Sequence, residues 1–258
     1  MMSIDPRAVI DPDASLAEGV SVGPFSVIGA NVEIGEGCWI GPHVVINGPT
    51  KIGRDNRIFQ FASIGEMPQD KKFHGEDSKL VIGDGNTIRE FVTIHRGTDD
   101  GGGITSIGDD NWLMAYIHIA HDCIIGNHTV FSNGASLAGH VQVDDYAILG
   151  GFTLIHQFCH IGLHAFCGMA SAIGKDVTPY TLVNGNPAHP HGLNIEGLKR
   201  HGYSGDLIRE LRDAYKIVYR AGLTAEEARS RLSATAEKYE EVQLFVEFIK
   251  NSGRGILR

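Results

Sequence analysis

His118-Ile119-Ala120-His121-Asp122-Cys123 lies at the centre of a stretch, 107–177, whose periodicity decides the fold. Steps of six from Ile107 meet Leu113, Ile119, Ile125, Phe131, Leu137, Val143, Leu149, Ile155, Ile161, Cys167 and Ile173, all apolar. Four residues after each anchor comes a second position, nearly always small or β-branched, as in Cys123, Thr129, Ala135, Val141, Ala147 and Thr153. Neither a helical period nor strand alternation produces a repeat of six. A fixed hexapeptide repeat is the mark of a parallel β-helix. The sequence therefore reads as mainly β, a left-handed parallel β-helix with a C-terminal α-helical domain. Hexapeptide prisms of this kind are an exception to the right-handed crossover of parallel strands.

Outward from that stretch, the same register starts near the N-terminus at Ile10 and runs through Leu16, Val22, Ile28, Ile34, Ile40, Ile46, Ile52, Ile58 and Ile64. Three hexads make one turn, and stacked turns are spaced like neighbouring strands, about 4.8 Å apart. Glycine follows many anchors, at corners where a Cβ would crowd the backbone. Two insertions interrupt the prism, at about 66–79 and 95–106, and the first carries Asp70 and Lys72. Insertions leave a solenoid stack intact and commonly build its binding face. The expected division is 1–189 for the β-helix and 190–258 for a helical domain. In the latter, Ser204 is placed to cap a helix with Leu207, Ile208, Leu211, Tyr215 and Val218 on one face. Thr224 and Glu227 fit a capping box, and a last helix contains Val242, Leu244, Phe245 and Phe248.

Composition narrows the function. With 258 residues and a net charge of −9, the chain is a poor partner for nucleic acid. The opening Met1-Met2-Ser3-Ile4-Asp5-Pro6 has no basic region leading into an apolar core, and no apolar run is long enough to span a membrane. A cytoplasmic protein is expected. Cys38, Cys123 and Cys159 fall in the small inward slot and Cys167 in the anchor slot, so all four read as buried structural thiols. None forms a tight Cys-x-x-Cys pair, and neither metal nor cofactor is expected.

The third residue of a hexad lies outside the inward slots, which makes His121 a candidate for chemistry. A neutral imidazole suits removal of a proton from an attacking hydroxyl. Residues one turn apart form columns, so His121, Gly139 and Gln157 align, as do Asp122 and His140. A glycine N–H one strand spacing from a general base can hold an oxyanion in acyl transfer. No serine or cysteine stands in a recognisable nucleophile elbow, which favours direct transfer to a hydroxyl over an acyl-enzyme. On periodicity alone, an ordinary surface histidine fits the position equally well.

Four segments resolve that choice: His118-Ile119-Ala120-His121-Asp122-Cys123, Leu137-Ala138-Gly139-His140-Val141, His156-Gln157-Phe158-Cys159 and Asn194-Ile195-Glu196-Gly197-Leu198-Lys199-Arg200. Together they resemble the UDP-N-acetylglucosamine O-acyltransferases, which begin lipid A synthesis in Gram-negative bacteria. The resemblance runs from the first hexads through the helical region, and the last segment is its most specific part. It implies a homotrimer with sites between subunits. The implied donor is a 3-hydroxyacyl group on acyl carrier protein, and the acceptor is the 3-hydroxyl of UDP-N-acetylglucosamine. His121 matches the family's general base and Gly139 its oxyanion amide, with Asp122 in the same catalytic set. Asp70, Lys72, His118, His140 and Gln157 match positions around the sugar and acyl chain. Asn194, Glu196 and Arg200 match the nucleotide end. Met169 matches the position that the family uses as an acyl-length ruler, commonly glycine where longer chains are used, and so implies a 3-hydroxydecanoyl-type donor.

Two positions depart from the family pattern. Pro187 stands where histidine is frequent, and His201 where arginine often follows Arg200. Lys199, Arg200, Arg209, Arg212, Lys216 and Arg220 are candidates for a basic patch facing the acidic carrier. The alternatives are a sister N-acyltransferase acting on acylated UDP-glucosamine, which normally carries a further N-terminal domain, and a trimeric zinc carbonic anhydrase. The latter would use His118, His121 and His140, with each imidazole about 2.1 Å from the ion. A non-catalytic scaffold would show monotonous polar columns, whereas these outward columns are chemically mixed.

Overall fold

Each hexad contributes a short strand ending at its apolar anchor, and the strands line up into three parallel sheets that form the faces of a prism. The computed structural model describes residues 3–258; Met1 and Met2, at the head of the stretch inspected for a leader, lie outside it. The first face runs from Ser3–Ile4 to Thr181–Asn184, the second from Val9–Ile10 to Ala172–Ile173, and the third from Ser15–Leu16 to His160–Ile161. Anchors pair with anchors one coil on: Ile119 with Leu137, Leu137 with Ile155, Leu113 with Phe131. Both inward slots are closed to solvent, with Ile119, Cys123, Leu137, Val141, Ile155 and Cys159 all at or below 3% exposure. Ile10 and Leu16 are only partly buried, because the first coil has no coil beneath it. The four cysteines are free and buried, and burial pushes the Cys123 thiol up to about 12, so it stays protonated and inert.

Close approach explains the glycine after the anchor. A Cβ built on Gly35 would lie 2.6 Å from the Gly53 carbonyl carbon on the next coil. Four polar residues in the inward slot form a self-satisfying column. Asn86 donates its backbone N–H and its side-chain amide to Asn56 Oδ1 at 2.9 and 3.0 Å. Asn111 N–H donates to Asn86 Oδ1 at 2.9 Å, and Thr129 donates to Asn111 Oδ1 from both N–H and hydroxyl. All four are essentially inaccessible.

Both insertions leave from the same corner, between the second and third faces. The chain departs after Ser63–Glu66 and Thr93–His95 and rejoins the stack at Lys79–Ile82 and Ile104–Ile107. Ile64 still pairs with Ile94, and Ile94 with Ile119, so the register survives both.

After Thr181–Asn184 the chain doubles back as the antiparallel strand His189–Leu193 and enters four helices, α1 (Ile195–Arg200), α2 (Gly205–Arg220), α3 (Ala225–Ala236) and α4 (Glu240–Asn251). The α2 stripe of Ile208, Leu211, Ala214, Tyr215 and Val218 is buried in a second core with Tyr180, Leu198, Phe245 and Phe248. The Ser204 hydroxyl accepts the Leu207 N–H, and Thr224 with Glu227 completes a capping box. The tail returns to the prism, where buried Asp176 takes the Ser252 hydroxyl on its carboxylate and the Leu257 N–H on its carbonyl. No helix among the described residues is long and apolar enough to cross a membrane.

Asn86→Ala tests the buried column. It strands the Asn111 N–H and the Gly108 carbonyl, which accepts the Asn86 amide at 2.9 Å. Each unpaired buried group costs about 1–3 kcal/mol, so the denaturant midpoint is expected to fall clearly below wild type; an unchanged midpoint contradicts the column's role.

Candidate active site

His121 projects from the corner that bears the insertions, its side chain 14% exposed. Its Nδ1 lies 2.7 Å from Asp122 Oδ2. Asp122 occupies the corner itself with φ of 61°, a left-handed conformation that aspartate tolerates better than most residues. Its carboxylate turns into the protein, where the Thr98 N–H donates to Oδ1 at 2.7 Å and the Thr98 hydroxyl to Oδ2 at 2.6 Å. The Asp122 N–H donates to the Thr105 hydroxyl at 2.8 Å. Burial pushes the Asp122 carboxyl up, but the hydrogen bonds from His121 and Thr98 outweigh it and hold the group below the usual carboxylate range. An ionised carboxylate only accepts hydrogen bonds, so His121 donates from Nδ1 and Nε2 is the basic atom of the ring.

One coil on, Gly139 lies directly against that ring. A Cβ built there would sit 2.6 Å from His121 Cε1 and 2.8 Å from Nε2, so only a bare backbone fits. Its N–H has no acceptor among the described residues. His140, beside it, brings Nε2 to 3.7 Å from Asp122 Oδ2 and stacks on Phe158 at 4.4 Å. Burial lowers the pKa of His140. His118 shares a hydrogen between Nδ1 and the Thr93 hydroxyl at 2.7 Å and meets His95 edge-on at 5.0 Å. Burial, then the neighbouring His121, hold His118 below its ordinary value. His95 is pushed down to about 4 by burial and the neighbouring His118. The site is thus a set of imidazoles with one ionised carboxylate beneath them.

The insertions wall this corner. Lys72 Nζ reaches Asp100 Oδ2 at 3.3 Å, tying the first insertion to the second, and Asp70 Oδ1 accepts the Lys72 N–H. A cavity of ≈ 540 Å³ is lined by Asp70, Lys72, His74, Thr98 and Asp100. A second, of ≈ 410 Å³, is lined by Asp100, Asp122, Ile124, His140 and Phe158, so Asp100 stands between the two.

Residues 176–257 match the family described as Udp N-acetylglucosamine O-acyltransferase, Domain 2, and residues 31–58 and 104–139 match the bacterial transferase hexapeptide repeat. The acyl-[acyl-carrier-protein]–UDP-N-acetylglucosamine O-acyltransferase of Pseudomonas entomophila is 58% identical over 258 residues, covering 100% of both chains. That of Halorhodospira halophila is 60% identical over the same span, again with 100% of both chains covered. The crystal structure of the UDP-N-acetylglucosamine O-acyltransferase from Moraxella catarrhalis superposes with a TM-score of 0.97 at 47% identity, covering 99% of each chain. The Francisella novicida UDP-N-acetylglucosamine acyltransferase gives 0.97 at 45% identity, covering 99% of this chain and 94% of its own. The chain belongs to the UDP-N-acetylglucosamine O-acyltransferase family.

Not all the site residues expected of this acyltransferase family meet within one chain. His121, Asp122, Gly139, His140 and His118 gather at the corner, while Asp70 and Lys72 line the cavity that Thr98 also lines. Gln157 is exposed, and its side chain has no hydrogen-bond partner among the described residues. Met169 is 73% exposed and follows the first-face strand Phe166–Cys167, so it belongs to a different corner. Asn194 caps α1, accepting the Gly197 N–H and donating to the His164 carbonyl, while Glu196 pairs with Lys199 and Arg200 is exposed.

The zinc alternative meets an obstacle in the donor set. The ligand atoms that converge are those of His121, Asp122 and His140, within 4.8 Å of one another, while His118 Nδ1 is engaged by Thr93. Asp122 Oδ2 already accepts two donors, from His121 and Thr98. Sequence reasoning missed Thr98, Thr105 and His95. The only signal was that the second insertion had to do something; no spacing pointed to its residues.

Buried neutral histidines make stability depend on pH. In the unfolded chain they take up a proton near 6.5, whereas folded His95 and His164 do so only near 4. The unfolded state therefore holds more protons in that window, so stability is full above it and falls as pH drops from about 6.5 towards about 4. Denaturant midpoints at about pH 7.5, 6 and 5 are expected to decline in that order, and a flat series contradicts the burial argument.

Proposed function

We propose that the chain transfers a 3-hydroxyacyl group from acyl carrier protein to the 3-hydroxyl of UDP-N-acetylglucosamine, with His121 as general base. The observation that carries this reading is the 2.7 Å contact from His121 Nδ1 to an Asp122 carboxylate itself fixed by Thr98. That contact leaves Nε2 to take the sugar hydroxyl proton as the oxygen attacks the thioester carbonyl. Negative charge then develops on the carbonyl oxygen, where the unengaged Gly139 N–H is available to receive it. Collapse breaks the carbon–sulfur bond, and the imidazolium returns its proton to the departing carrier thiol. No acyl-enzyme is needed, and the buried cysteines offer no nucleophile. The chemistry assigns no step to a cofactor.

His118, His140 and Gln157 are assigned to the sugar and acyl chain. Asp70 and Lys72 line a cavity together with Thr98 and are assigned to the same substrate, with the Lys72 ammonium exchanging exposed Asp100 for it. Asn194, Glu196 and Arg200 are assigned to the nucleotide end. Since these three lie on α1 or its cap, a homotrimer in which neighbouring chains complete each site is the assembly we propose. In the basic patch assigned to the carrier, Lys199, Arg209 and Lys216 are each paired with a carboxylate one helical turn away, leaving Arg200, Arg212 and Arg220 as its free cations among the described residues.

The test is product analysis by mass spectrometry with UDP-N-acetylglucosamine and a panel of 3-hydroxyacyl carriers, in wild type and His121→Ala. Loss of the base is expected to lower turnover by about 10²–10⁴ at unchanged thermal stability. Activity within a few-fold of wild type in a normally folded variant contradicts the assignment.

Acyl-chain length is assigned to Met169. Its exposed thioether occupies space that glycine would leave open, and displacing it for a longer chain costs roughly 1–3 kcal/mol. A 3-hydroxydecanoyl donor is therefore preferred over 3-hydroxymyristoyl. Met169→Gly is expected to shift the ratio of kcat/KM for the two donors towards the longer one; an unmoved ratio excludes the ruler.

A further inference from the structure

Thr98 belongs to the second insertion, at the N-cap of the single 3-10 turn Asp99–Gly101. A threonine there ordinarily accepts a backbone N–H through its hydroxyl. Here the hydroxyl makes no cap bond. It points the other way, into the prism, and Thr98 is 2% exposed.

We propose that Thr98 is a positioning residue that sets the tautomer of His121 by holding Asp122 as a pure acceptor. The inference rests on the reading of His121 as the base. Proton accounting supports it. Asp122 Oδ1 accepts the Thr98 N–H, while Oδ2 accepts both the Thr98 hydroxyl and His121 Nδ1. A proton on either oxygen would confront a donor already in place, so the carboxylate is ionised and the histidine must supply the hydrogen at Nδ1. The reacting nitrogen is then Nε2, the atom that lies over Gly139.

Two other parts of the same insertion are shaped to this carboxylate. A Cβ built on Gly101 would overlap the Asp122 carboxyl group, so the turn must be bare where it covers it. Thr105, where the insertion rejoins the stack, accepts the Asp122 N–H and fixes the residue's backbone. The Thr98 carbonyl closes the insertion on itself, accepting the Gly103 N–H at 2.7 Å and the Gly101 N–H at 3.0 Å. Loop closure and carboxylate orientation are therefore set by one residue.

The test compares wild type, Thr98→Val, Thr98→Ser, Gly101→Ala and His121→Ala. Each is assayed for kcat, for KM of both substrates, for the pH dependence of kcat and for thermal stability. Valine keeps the shape and removes the hydroxyl. Misaligning a catalytic group by about an ångström can cost on the order of 10²-fold, so Thr98→Val is expected to lose about 10- to 100-fold in kcat at little-changed KM. With one donor fewer, Asp122 charge is less compensated and stabilises the His121 imidazolium more, so the acid limb of kcat moves to higher pH. Thr98→Ser is expected to restore both. Gly101→Ala, which crowds the same carboxylate, lowers kcat as well and keeps the test decisive should Thr98→Val fail to fold. Thr98→Val with wild-type kcat and an unmoved acid limb, alongside an inactive His121→Ala, overturns the positioning role. A loss of thermal stability with an unmoved limb overturns it too, reducing Thr98 to a structural contact. An active His121→Ala instead overturns the base assignment on which the inference stands.

Discussion

Everything in this molecule depends on the hydrogen-bonded ladder between successive coils. Parallel pairing forces each strand into register with the strand one turn away, so anchors sit on anchors along all three faces. A slip of a single residue would turn buried anchors outward and polar corners inward. The ladder therefore aligns whatever stands at equivalent corner positions, and it places the His121 imidazole over Gly139, one coil further on. The same constraint excludes side chains where backbones approach, as at Gly35.

Within that frame, a buried negative charge is the risky element. Asp122 is removed from solvent, and an unpaired carboxylate there would be strongly disfavoured. Its oxygens are instead met by the Thr98 N–H, the Thr98 hydroxyl and the His121 ring. The prism supplies the His121 ring, and both remaining donors come from Thr98 on the second insertion, which leaves the ladder and returns across the corner. A loop that looks like a tolerated interruption thus compensates the buried charge beside His121.

The helical region answers a different need. A β-helix ends in strand edges that would pair with other chains. Here the antiparallel strand His189–Leu193 pairs with the last strand of the first face, and the tail is fastened by Asp176. The α1 segment that carries Asn194, Glu196 and Arg200 is held by capping and by the His164 carbonyl. Its exposed charges and the imidazole corner therefore occupy separate places on one chain, which fits the proposed assembly of sites from neighbouring chains.

The sequence by itself determined the prism, its register, both insertions, the helical caps and the column of His121 over Gly139. Those are local or strictly periodic properties: a six-residue repeat can bury its anchors in only one way, and a capping box spans four residues. The family was legible as well, because its specific segments are contiguous. Tertiary structure alone decided the partners of Asp122 and the burial of His95. It also decided that Lys72 meets Asp100 and that the Asn194 side chain caps α1 and donates to the His164 carbonyl. These contacts join segments whose separation follows no period, and a loop's path is set by which buried group it must satisfy. Thr98 could have been any polar residue of an insertion until the fold laid its N–H and its hydroxyl on one carboxylate.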